Sequence, residues 1–175
     1  MRRGARSVVF TAPRYGVEFA APGWQTLGVT ELADFVRVAA EDHGLCVVVS
    51  MRRDATPQVS VVNAGVLEHP RTGATVVGLV AAGGSHKLAN WRRQPHASLV
   101  VKSGWQWVAV EGPVEIIGPD DPSPGVDAEA LRLLLRTVFT AAGGTHDDWD
   151  TYDRVMAAER RAVVFVTPAR VYSNG

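Results

Sequence analysis

The chain has a single cysteine, Cys46, among its 175 residues. That excludes an internal disulfide and fits a reducing, cytoplasmic compartment. It has no excess of either charge, because eighteen basic and eighteen acidic residues cancel. The balance gives no electrostatic reason to expect a nucleic acid or an anionic membrane as partner. No apolar run approaches the roughly 18–20 residues that cross a bilayer. The basic start Met1-Arg2-Arg3 has no adequate apolar stretch behind it before Pro13, so a secretion leader is not expected either. Self-sufficient catalytic signatures are missing too: there is no Gly-x-Ser-x-Gly elbow, no phosphate-binding P-loop and no dinucleotide fingerprint. The five histidines, His43, His69, His86, His96 and His146, form no i, i+4 pair and accompany no cysteine cluster, so no metal site is expected. Asp147, Asp148 and Asp150 crowd a helix start, where capping and the helix dipole account for them. No catalytic side chain is therefore assigned; any difficult chemistry here needs a bound cofactor.

What is present suits one domain with a substantial core, with 46% apolar and 21% charged residues. Residues 1–29 read as an irregular N-terminal extension, with one possible strand at Ser7-Val8-Val9-Phe10, and 30–175 as the folded domain. Leu32, Phe35, Val36, Ala39 and Ala40 have helical spacing, predicting an amphipathic helix from near Thr30 to Gly44. Five β-like runs follow: Leu45–Met51, Gln58–Leu67, Thr75–Ala82, Ala97–Lys102 and Trp105–Ile117. Valine dominates them, often without strict alternation, as in strands buried on both faces. So dense a series of antiparallel strands reads as a closed or nearly closed barrel. Cys46 lies in the first run and should be buried and inert. Leu131, Leu134, Leu135, Val138 and Phe139 mark a second helix, ended by Gly143-Gly144. Thr145-His146-Asp147-Asp148 has capping-box spacing for a third helix, whose apolar face would be Trp149, Tyr152 and Met156. Ala162–Val166 is a last strand, followed by Pro168 and a short tail.

The most informative stretch is Gly84-Ser85-His86-Lys87-Leu88-Ala89-Asn90-Trp91-Arg92-Arg93-Gln94-Pro95. A small-residue turn leaves one strand run, opens a short helix with a lysine on its first turn, and leads to the next run. Backbone donors at a helix start and a fixed positive charge suit a phosphate. Lys87 reads either as that charge or as a solvated helix lysine. Trp105 and Trp107 flank Gln106, and strand alternation puts both indoles on one face. They could wall a planar ring or fill a core or dimer interface.

Leu79-Val80-Ala81-Ala82-Gly83-Gly84-Ser85-His86-Lys87, with Asn90 and Arg93-Gln94-Pro95-His96-Ala97-Ser98-Leu99, is similar to the cofactor segment of the pyridoxamine 5'-phosphate oxidase-like split β-barrel superfamily. Within it, the chain resembles the flavin/deazaflavin oxidoreductases of class B, which use coenzyme F420. The matching stretches are Pro57-Gln58-Val59-Ser60, Gly104 to Gly112, His146 to Tyr152, Arg160-Arg161 and Val171-Tyr172. The resemblance implies a mainly β, α+β split barrel with peripheral helices, and a homodimer with cofactor sites at the subunit interface. It implies an F420-dependent oxidoreductase acting on a small unsaturated or quinone-like substrate. The alternatives are an FMN-dependent enzyme of the same superfamily, and a non-catalytic deazaflavin, flavin or tetrapyrrole binder. Carried over by position, Lys87 and Ser85 would hold phosphate, beside His86. Gln58 and Ser60 would approach the ring or ribityl chain, Ala81 and Ala82 would lie beside the ring, and Trp107 would contact the cofactor. Two arginines of the FMN-using oxidases are replaced here by Ser60 and His86. Loss of two bidentate guanidinium partners favours F420, whose phosphate is a singly charged diester, over FMN.

Overall fold

The computed structural model describes residues 30–175 and two short N-terminal strands, β1 (Phe10–Thr11) and β2 (Glu18–Phe19), which pair antiparallel. Apart from those, the expected irregular extension over 1–29 and the strand suggested at Ser7–Phe10 lie outside the described residues. The remaining order is α1 (Leu32–Ala40), β3 (Leu45–Met51), β4 (Pro57–Glu68), β5 (Thr75–Ala81), α2 (His86–Arg93), β6 (His96–Ser103), β7 (Gln106–Ile117), α3 (Ala128–Ala141), α4 (Trp149–Ala158), β8 (Ala162–Val166) and β9 (Arg170–Ser173).

The strands run β6-β3-β4-β5-β8-β7-β9, and a further pairing of β6 with β7 closes six of them into an antiparallel barrel. The expected split barrel with peripheral helices is the observed fold. The split arises in β7. Its first half pairs with β6 on one edge and β9 on the other, and its second half pairs with β8. Where the chain crosses over, a Cβ on Gly112 would sit 1.8 Å from the Thr167 carbonyl oxygen, so only glycine fits. The seventh strand, β9, falls where the sequence predicts only a short tail; four residues with half-exposed alternation carry too little pattern to announce a strand.

Two apolar cores result. The barrel interior holds Cys46, Val48, Leu79, Leu99, Val110 and Val164, and α2 drives Leu88 and Trp91 into one end. Outside β5 and β8, α3 and α4 cover Val76, Val163 and Phe165 with Leu135, Val138 and Tyr152. Among the strands of residues 30–175, only β8 is buried along its whole length, because helices cover its outer side. β3 alternates instead, correcting the expectation that the valine runs are buried on both faces. Cys46 is 1% exposed and its thiol is pushed up to about 12 by burial, so it is no nucleophile.

Smaller corrections follow from local geometry. In α1, Val38 replaces Val36 on the buried face, and Val36 is left exposed. Asp148, rather than Thr145, caps α4, its carboxylate accepting from the Thr151 N–H at 2.9 Å. Trp105 is not in a strand. With Gly104 (φ +54°) it forms the two-residue turn between Ser103 and Gln106, and it stands 77% exposed.

The β4–β5 hairpin is held by a buried histidine. His69 Nδ1 accepts from the Arg71 and Thr72 N–H groups at 3.2 and 3.4 Å, so its ring proton is on Nε2, which donates to Glu115 at 2.9 Å. Replacing His69 with alanine should cost about 1–3 kcal/mol, the scale of buried polar groups left unpaired. Denaturant titration should show a lower midpoint with an unchanged slope. His69→Asn, which restores an acceptor for the turn, should recover part of the loss; equal stability of all three proteins refutes the clamp.

Candidate functional site

The ladder between β5 and β8 ends at Ala81 and Ala162. The chain then turns through Ala82–Ser85 into α2, closed by Ser85 N–H donating to the Ala82 carbonyl at 3.0 Å. Gly83 makes the turn possible. Its N–H donates to Glu159 O at 3.1 Å, and a Cβ there would lie 2.5 Å from Arg160 O. Ser85 occupies the N-cap position but its side chain caps nothing; its Oγ is buried without a hydrogen-bond partner among the described residues. Lys87, on the first turn, is partly buried and has no acidic neighbour acting on it among the described residues. Burial first, and then the Arg161 charge, hold its pKa below the usual lysine value. Arg161 stands one residue beyond the Ala81–Ala162 pair, opposite Ala82. An orphaned hydroxyl, free helix-start amides and two cations of which one lacks a counter-ion make this corner complementary to an anion. These residues fit the phosphate of a flavin-type cofactor.

The sequence-derived residues divide between this corner and elsewhere. Ser85, Lys87 and Ala82 are at the corner, and His86 beside them is exposed. Ala81 points into the barrel core at 2% exposure, leaving only its backbone beside a ligand. Gln58 and Ser60 lie on the face of β4 opposite to Val59 and Val61. Gln58 Oε1 accepts from Asn90 Nδ2 at 2.8 Å, and the same Nδ2 donates to Ser50 Oγ at 3.0 Å. Asn90 Oδ1 accepts from Arg93 at 2.8 Å. Gln58 thus orients α2, and through it Lys87, as part of a buried amide network. Trp107 is on the outer sheet face, but its strand is three inter-strand steps of ~4.8 Å from β4, about 14 Å in all. It lies on the half of β7 that pairs with β6 and β9, ahead of the β8 ladder that begins at Val114, so within this chain it does not reach the corner; its ring packs edge-on against Tyr172 at 5.9 Å.

Sequence reasoning missed the outward face itself. Ladder pairing aligns Val61, Val47, Val100, Ala109 and Tyr172 in one row across β4, β3, β6, β7 and β9. Val59, Val49, Ser98, Glu111 and Arg170 form the next row. Val59 and Val61 are 60% and 62% exposed. The signal was available in Pro57-Gln58-Val59-Ser60-Val61: alternation sets the valines on the opposite side from Gln58 and Ser60.

Against this geometry, the sequence profile of pyridoxamine 5'-phosphate oxidase matches residues 31–174. The chain belongs to the pyridoxamine 5'-phosphate oxidase family. The match spans the barrel, all four helices and the α2 corner. Among solved structures, a conserved hypothetical protein of Mycobacterium tuberculosis is similar at 21% identity over 87% of each chain, with a TM-score of 0.57. An FMN-binding protein of Nostoc punctiforme related to the family is 12% identical, covering 88% of this chain and 84% of that one (TM-score 0.55). An F420 reductase is 17% identical, covering 73% and 88% (TM-score 0.50). At such identities the likeness is one of fold. Family members of this shape hold small-molecule ligands, and no described helix here is long and apolar enough to cross a membrane.

Proposed function

We propose that the chain is a coenzyme F420-dependent oxidoreductase, working as a homodimer on a small unsaturated or quinone-like substrate. The observation that carries this reading is the corner where Lys87, without a counter-ion, adjoins the orphaned Ser85 Oγ at the start of α2. Arg161, the second cation, is already engaged by Glu159 at 2.6 Å. One uncommitted ammonium matches a singly charged phosphodiester. A terminal phosphate dianion would draw on guanidinium forks, and Ser60 and His86 supply none. When bound, the deazaflavin supplies the hydride or accepts it. The protein's share is to hold the anionic tail with Lys87 and Ser85, to orient α2 through Asn90 and Gln58, and to exclude water with Val61, Val80 and Ala82. A second copy of the chain covering the exposed valine row completes the slot, and Trp107 would reach the cofactor from there.

The test is a parallel fluorescence titration of the purified protein with F420 and FMN. F420 should bind at least about tenfold more tightly, a difference of roughly 1.4 kcal/mol; tighter FMN binding reverses the cofactor assignment. Reduced F420 mixed with enones and quinones should be oxidised. Tight binding without oxidation on any of them would leave a carrier role instead.

A further inference from the structure

Beside the phosphate corner, the outer faces of β4 and β5 continue into a cleft of about 340 Å³ roofed by α3 and α4. Asn63 and Val80 form its floor, each the next outward residue along its strand from Val61 and Ala82. Phe139 and Val155 form apolar walls, and His146 and Arg161 supply polar groups. The volume is at the small end of ligand sites, which run from roughly 300 to 1,000 Å³, and suits one or two fused rings. Its polar atoms are mainly donors. His146 Nδ1 accepts from the Asp148 N–H at 3.0 Å, so the neutral ring carries its proton on Nε2. Arg161 uses Nε and NH2 on Glu159, leaving NH1 uncommitted among the described residues. Asn63 Nδ2 donates to His43 O at 2.9 Å, which leaves its Oδ1 as the cleft's amide acceptor. The walls are braced from behind: Phe139, Trp149 and Tyr152 pack edge-on or tilted against one another, and the Tyr152 hydroxyl donates to Leu135 O at 3.2 Å.

We propose that this cleft is the substrate subsite, taking a planar one- or two-ring compound that presents an anionic or carbonyl oxygen to Arg161 and His146. As a substrate subsite it rests on the cofactor reading above, since Arg161 borders both the cleft and the Lys87 corner. As a ligand site it stands on its own shape and charge: apolar walls hold the ring, and the cation and N–H select an oxygen at its edge.

Calorimetric titration with 2-naphthoate, and with naphthalene-2-carboxamide as its neutral counterpart, tests the assignment. The wild-type chain should bind 2-naphthoate saturably, one per chain. Arg161→Gln should weaken the carboxylate about tenfold and the carboxamide less than about threefold, because a charge-assisted bond is lost from only one of them. Val155→Trp, at a rim position already 41% exposed and so safe for folding, should block both probes while leaving F420 titration unchanged. Absence of saturable 2-naphthoate binding, or binding indifferent to both substitutions, overturns the assignment. Naphthoate binding without F420 binding would sink the cofactor reading but leave the cleft a ligand site; the reverse result sinks the cleft alone.

Discussion

Replacing Trp91 with alanine should lower the unfolding free energy by about 3–5 kcal/mol, the scale for emptying a buried tryptophan site. The helix that carries it, α2, has eight residues and is too short to be stable by itself. Leu88 and Trp91, three positions apart on one face and both 0% exposed, are what fix it into the barrel end. The indole Nε1 finds no acceptor among the described residues, so no hydrogen bond is lost on truncation. The expected loss is transfer free energy plus an unfilled cavity. Trp91→Phe should therefore keep most of the stability. Denaturant unfolding measures both; a loss below about 1 kcal/mol for the alanine variant would show that α2 is not the plug the barrel needs. The alanine variant should also bind the cofactor poorly, since Ser85 and Lys87 ride on the helix it loosens.

How much of this could be read from the residues differs by element. The bounds of β3, and of β8 beyond it, were legible because short runs rich in β-branched valine, set between turn signals, favour a strand over a helix. The turn at Ala82–Ser85 and the lysine after it were legible as local chemistry. What one chain's letters do not carry is which face a strand presents. Gln58 and Ser60 were named only through the family resemblance, yet Gln58 is spent on Asn90, forty residues from the Ser50 that Asn90 also holds. The outward valines, Val59 and Val61, looked like core. Burial of Val61 would depend on what covers β4, and that is a property of the assembled sheet. Arg161 was visible only as half of an Arg-Arg pair. Its relation to Lys87 follows from the pairing of β5 with β8, a contact between segments some eighty residues apart that no local pattern encodes.

Lys87→Met should have opposite effects on the free and the cofactor-bound protein. In the free protein the ammonium is partly buried beside Arg161, and its pKa is held below 10.5 by burial and then by that charge. The folded state therefore binds this proton less readily than the unfolded chain. Stability rises with pH across the window between the lowered folded value and 10.5, and at neutral pH the charge is a liability. Methionine keeps the stem and removes the charge, so the free variant should be as stable as the wild type or slightly more so, and should lose that alkaline rise. A bound phosphate inverts the balance by supplying the missing counter-charge. Without Lys87, F420 should bind about 1.5–3 kcal/mol more weakly, roughly ten- to a hundredfold, the scale of a hydrogen bond to a charged group. Wild-type affinity should also fall as pH passes the lowered lysine value, below 10.5, and the variant's should not. Fluorescence titration across pH reads both effects. A residue kept only for folding would show weaker stability and unchanged affinity; a residue that strains the empty site in order to hold an anion shows the reverse. Unchanged affinity in Lys87→Met would remove the anchor from which the cofactor site has been argued, and with it the reading of the neighbouring cleft as a substrate subsite.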